Sequence, residues 1–183
     1  MPGMSARPLA RRLASPLFAA ALAAAAMPAL AQATIALVPE RVSERAWYFC
    51  GEAGMASAAN RGFMSNAGFV VTRDGVVVFD ALGTPALGRG MVDAIRKVTD
   101  APIRRVVVSH YHADHVYGLG PLKAAGGEVW AHRRSLDYFT SGQAAERLAQ
   151  RRADLFPWVD DATELVKPDV LVDGDTSFRL GGP

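Results

Sequence analysis

Three of the chain's four histidines fall within six residues, His110-Tyr111-His112-Ala113-Asp114-His115, with an aspartate among them. They follow Val106-Val107-Val108 almost directly, a β-branched run that suits a strand buried on both faces. A fold that hosts this chain must therefore end a central strand in four potential metal donors. Open α/β sheets carry their chemistry just beyond the carboxyl ends of their strands. A solvated histidine patch seldom follows such a strand, and unrelated core histidines would not crowd together. The cluster therefore reads as a metal site.

Zinc takes neutral imidazole nitrogen and carboxylate oxygen at about 2.0–2.2 Å, usually in near-tetrahedral geometry. His110 and His112 can project the same way from a strand end and hold one ion. Asp114 and His115, where the chain turns into a helix, can face a second. The expected cofactor is Zn2+, as two ions in the complete protein. Zinc-bound water loses its proton near neutral pH, and the ions stabilise a developing oxyanion. Asp114 is the natural catalytic residue to orient that hydroxide or shuttle its proton.

Around the cluster the chain alternates strands and helices. Ala46 to Cys50 reads as a first strand, and Gly51 to Asn66 as a loop with no clear period. Phe69–Thr72 and Val76–Phe79 are apolar runs joined through Asp74-Gly75, a strong hairpin signal. Thr84 and Pro85 suit the start of a helix whose core stripe is Leu87, Met91, Ala94, Ile95 and Val98. Ile103 to Ser109 is the strand that delivers the cluster, followed by a short helical stretch. Glu128 to Ala131 is a further strand, ending at His132, which reads as a surface histidine. Ser141 is expected to cap a helix through Phe156, with Ala145, Leu148, Ala149 and Phe156 on one side. Val170–Val172 and Thr176–Leu180 read as strands around the turn Asp173-Gly174-Asp175. This order predicts an α/β layered domain with a mixed sheet. The lone Cys50 excludes an internal disulfide and reads as a small buried hydrophobe.

Residues 1–31 are set apart by composition. Arg7, Arg11 and Arg12 precede an Ala/Leu-rich run from Leu17 to Ala26, then Pro28 and Ala29-Leu30-Ala31. This is the order of an export signal, and the apolar run is shorter than the roughly 20 residues a bilayer span requires. Cleavage after Ala31 leaves a domain at 32–183, periplasmic or secreted, with no stable membrane insertion. It removes three positive charges and no negative ones, so the formal net charge falls from +2 to −1. The basicity belongs to the signal, which argues against nucleic acid as a partner and leaves a small-molecule substrate.

The spacing His-x-His-x-Asp-His followed by Gly118 resembles the signature of the metallo-β-lactamase-fold hydrolases. Val77-Val78-Phe79-Asp80 with Gly83-Thr84 is similar to a second family signature, in which an aspartate at a strand end supports the metal loop. The resemblance thus gives Asp80 a supporting place rather than a ligand's. Gly62 to Val71 is similar to the family's opening hairpin. With the export signal it resembles exported quinoprotein-relay or SoxH-like zinc hydrolases. Histidine at 115 fits glyoxalase-II-like thioesterases and one lactamase subclass. The resemblance implies half of a four-layer αβ/βα sandwich whose other half supplies further ligands. No histidine follows His132, so the chain is expected to be the amino-terminal part of a longer protein. Its uncovered sheet face would then be an apolar surface open to self-association.

Three functions fit these residues. The leading one is an exported zinc hydrolase acting on an ester, thioester or β-lactam-like amide bond. The second is an iron-binding oxidoreductase or oxygenase of the same fold. The third is an inactive metal-binding fragment.

Overall fold

The antiparallel hairpins of the first half and the parallel crossovers of the second build one seven-stranded sheet in strict chain order. The computed structural model describes residues 33–181, so the expected export signal lies outside the described residues. Strands β1 (Glu40–Arg41), β2 (Ala46–Phe49), β3 (Ala67–Thr72) and β4 (Gly75–Phe79) pair antiparallel. From β4 the sheet continues in parallel through β5 (Ile103–Val107), β6 (Glu128–His132) and β7 (Val170–Val172). The hairpin forms at Asp74-Gly75 as the sequence indicates. Thr72 faces Gly75 across the ladder, and Gly75 takes φ 144°, which favours glycine.

Parallel neighbours require crossovers, and helices supply them. Helix α1 (Pro85–Val98) links β4 to β5, while α2 (Ala113–Val116) and α3 (Leu119–Ala124) link β5 to β6. Helices α4 (Ser135–Thr140) and α5 (Gln143–Asp154) link β6 to β7. Thr84 caps α1 as expected, its hydroxyl oxygen accepting the Leu87 N–H at 3.2 Å. Leu87, Met91, Ala94 and Ile95 are buried and Val98 half-buried. They join Val76, Val78, Val106 and Val129 of the sheet and Leu119 and Leu122 of α3 in one core. Each fully buried aliphatic side chain contributes roughly 1.5–3 kcal/mol, so this layer holds the strand ends in place.

The opposite face of the sheet is only partly covered. Arg105 lies there with its guanidinium carbon 4.5 Å from the Trp130 ring centroid and 4.3 Å from that of Phe178. Strand β5 is therefore well buried on one face alone, where its sequence suggested both. Phe79 on this face remains 44% exposed.

The sequence reading needs four corrections. Thr176–Leu180 forms no strand. That segment instead carries Phe178 to Arg105 and Trp130, and it ends with Gly181 close to the backbone of Arg73 and Asp74. The helix expected after Ser141 forms as α5, but Ser141 does not cap it: Ser141 ends α4, which the sequence did not reveal, and Gly142 at φ 81° separates α4 from α5. The buried stripe of α5 is Ala144 and Leu148, while Ala145, Ala149 and Phe156 are exposed. Cys50 is exposed, one residue past the end of β2.

Two glycines permit the tightest helix contact. A Cβ on Gly118 would collide with the Ala81 carbonyl, and one on Gly88 with the Gly118 carbonyl. Gly118→Ala is expected to lower stability by about 1–3 kcal/mol through overpacking. Gly120→Ala, at the second residue of α3 with open space around its Cβ position, is expected to be neutral or stabilising. Urea midpoints of the two variants check this opposition of sign.

Candidate metal centre

The carboxyl ends of the three adjacent parallel strands deliver Asp80 after β4, Ser109 and His110 after β5, and His132 at the end of β6. Backbone bonds lock the loops together here. Asp80 N–H donates to Val107 O at 3.0 Å, and Ala81 N–H donates to His115 O at 2.9 Å. Asp80 and Leu82 adopt φ 60° and 63°, a left-handed conformation that costs a non-glycine residue roughly 1–2 kcal/mol. The strain lies where the chain must turn back beneath the histidines. Ser65 from the preceding loop donates its hydroxyl to the Asp114 carbonyl and holds α2 from outside.

Tyr111 points away from the cluster. Its ring packs 5.0 Å from Phe139 and its hydroxyl donates to Val166 O at 3.1 Å. His110 and His112 are left to point together, Nε2 of the first lying 3.1 Å from Nδ1 of the second. Nε2 of His115 lies 3.3 Å from Oδ2 of Asp114. Two ligand atoms at bonding distance from one tetrahedral zinc lie about 3.3 Å apart, so both pairs have the spacing of a coordination edge. The His110 and His115 rings are 4.2 Å apart between centroids, so the two pairs adjoin. Among the described residues no group of three or more such donors converges on a single point. The four donors thus stand as two adjoining pairs, each with the spacing of one coordination edge.

Asp80 organises this arrangement. Its carboxylate accepts the Ser109 backbone N–H at 2.8 Å and the Ser109 hydroxyl at 2.7 Å. It also lies 2.9 Å from His115 Nδ1, which leaves Nε2 to face Asp114. Burial pushes the Asp80 carboxyl up, yet the bonds from His115 and Ser109 outweigh it and hold the group below the usual carboxylate range. Asp114 is held low by its bond with His115. His115 is pushed up to about 9 by its bonds with Asp114 and then Asp80, so proton and metal compete for the same nitrogen. His110 moves the other way, lowered by burial and by the neighbouring His115 and His112.

A family model of the metallo-β-lactamase superfamily matches residues 60–183, which include the whole cluster and both crossover regions around it. The chain belongs to the metallo-β-lactamase superfamily. Solved structures agree on the fold. A metallo-β-lactamase from Pontibacter korlensis is 20% identical with a TM-score of 0.55, over 80% of this chain and 57% of that one. The FEZ-1 metallo-β-lactamase from Legionella gormanii is 17% identical with a TM-score of 0.55, over 81% and 51%. A stereoselective inverting sec-alkylsulfatase from Pseudomonas sp. is 19% identical with a TM-score of 0.56, over 79% and 26%. The match thus spans about a quarter to just over half the length of these structures.

The superfamily loop thus brings His110, His112, Asp114 and His115 together, with Asp80 beneath them. His132 is exposed at the rim of the same cleft, its Nδ1 accepting the Arg134 N–H at 3.1 Å. Sequence reasoning missed Ser109, whose hydroxyl also lies 3.0 Å from His110 Nδ1, although it immediately precedes the cluster. It missed the cleft wall as well. Gln143, Arg147 and Arg151 repeat every four residues along α5, a spacing visible in the sequence once the helix is placed.

Groups that orient metal ligands typically contribute 10–100-fold in metal affinity. Asp80→Asn turns an amide N–H toward His115 Nδ1 in one rotamer and removes the charge in both. It is expected to weaken zinc binding by that factor while the far-ultraviolet circular dichroism is retained. Competition with a chromogenic chelator measures it.

Proposed function

We propose that this chain carries the metal-binding portion of an exported zinc-dependent hydrolase that cleaves an ester, thioester or β-lactam-like amide bond in a small molecule. The observation that carries the reading is the pair of donor edges, 3.1 and 3.3 Å, side by side at the end of β5. Superfamily membership supports hydrolysis in general. The signal-like residues 1–31 support export, and no helix among the described residues is long and apolar enough to cross a membrane.

His110 with His112 would hold one ion, and Asp114 with His115 the other. Bound zinc supplies Lewis acidity, acidifying water and polarising the oxygen of the scissile group. The chain's own residues set the stage for that. Asp80 fixes the His115 ring through Nδ1, and Ser109 keeps Asp80 in place. Tyr111, anchored on the Val166 carbonyl, holds the loop between His110 and His112. Asp114, kept ionised beside His115, can accept a proton at its carboxylate as a nucleophile approaches. The cleft in front of these groups measures about 550 Å³, enough for a small-molecule substrate.

Full-length protein purified from periplasm without added metal is expected to contain about two zinc ions per chain. It should hydrolyse at least one of three probes: a p-nitrophenyl ester, an acyl-glutathione thioester or a chromogenic β-lactam. His112→Ala is expected to reduce that rate by a factor of 100 or more and to halve the zinc content. Iron in place of zinc, with oxygen consumption and no hydrolysis, would overturn the reading in favour of an oxidoreductase.

A further inference from the structure

The cleft in front of the histidine cluster is walled on one side by α4 and α5, and that wall is cationic. Helix α5 turns one stripe toward it, Gln143, Arg147 and Arg151, at i, i+4 and i+8. The apolar stripe beside it, Ala144 and Leu148, fixes the rotation of the helix by burial. Arg134, at the start of α4, lines the same cleft. Among the described residues neither Arg134 nor Arg147 has a carboxylate within salt-bridge distance, and Arg151 meets only Asp154, at 3.5 Å. The sole acidic residue lining the cleft is Asp114, already engaged with His115. Three guanidinium groups therefore share one concave surface, and of these only Arg151 has a carboxylate of the chain, Asp154, beside it.

Guanidinium groups in such a place have a definite complement. Their planar forks match carboxylate and sulfate geometry through paired N–H···O bonds. A concave wall of one sign focuses its field and raises the local concentration of the opposite charge. We propose that Arg134, Arg147 and Arg151 form a subsite for an oxyanion on the substrate, a carboxylate or sulfate held away from the bond that is cleaved. This deepens the hydrolase reading and rests on it for the word substrate, but anion binding itself stands apart from hydrolysis. The three side chains orient the substrate by its charged end, so that the reactive end meets the Asp114 and His115 side of the cleft.

The test uses the full-length protein and the double variant Arg134→Gln/Arg147→Gln, both positions being exposed and free of packing duties. Two readouts are compared. The first is the ratio of kcat/KM for a p-nitrophenyl ester ending in a carboxylate to that for its methyl ester. The second is binding of succinate and of sulfate to chelator-treated, metal-free protein, read by tryptophan fluorescence or calorimetry. The variant is expected to lower the ester ratio roughly tenfold and anion affinity by a similar factor, with Arg147→Lys recovering part of both. Tighter succinate than sulfate assigns the subsite to carboxylates, and the reverse order assigns it to sulfates. A ratio and an anion affinity that both stay within about twofold overturn the subsite while leaving hydrolysis intact. Loss of anion binding in a protein that hydrolyses neither ester keeps the subsite and overturns the hydrolase reading. Wild-type protein that binds neither anion overturns the subsite outright.

Discussion

Asp80 is the point on which the site depends. A carboxylate at 8% residue exposure would cost several kcal/mol if left unpartnered. Here it takes two bonds from Ser109 and faces His115 Nδ1, and hydrogen bonds to a charged group contribute about 1.5–3 kcal/mol each. The sum comfortably exceeds the left-handed backbone's cost at Asp80 itself. What results is a clamp between the ends of β4 and β5 and the start of α2. Without it the histidine loop would be tethered by backbone bonds, Tyr111 and the Ser65 hydroxyl alone.

That clamp works because the surroundings allow no slack. Gly118 and Gly88 bring α1 against the exit of the metal loop, and Gly83 places the β4 turn in contact with Asp114. The core under α1 and α3 fixes the strands whose ends carry Asp80 and His110. Packing thus converts a six-residue sequence pattern into donor atoms with defined spacing. The local chain supplies the chemistry, and the layered fold supplies the precision.

Legibility in the sequence followed the physics of each segment. The Asp74-Gly75 hairpin, the Thr84 cap and the β5 run are set by local backbone preference and periodicity, and they stand where those preferences put them. The clustering of donors was legible for the same reason, since the four lie within six residues. Tertiary context decided the rest. Thr176–Leu180 has strand-like composition, but it pairs with no strand and instead lays Phe178 over Arg105 and beside Trp130. Gly142 in the left-handed region separates α4, which carried no clear sequence signal, from the expected helix α5. Burial of Ala144 and Leu148 sets the rotation of α5, and with it which residues face the cleft. The arginine wall was therefore invisible until the helix was placed.

Within the histidine loop the donors divide between two local geometries. His110 and His112, two apart just past the end of β5, share a direction, while Asp114 and His115 meet within the first turn of α2. The four donors therefore stand as two adjoining pairs. Two donors locate an ion without holding it tightly, because affinity grows as further protein ligands exclude water from the shell. The loop is thus best understood as the part of a metal site that decides position. The cationic wall of α4 and α5 lines the same cleft as His110, His112 and Asp114, so the charge of that wall and the spacing of the donor atoms act on one volume.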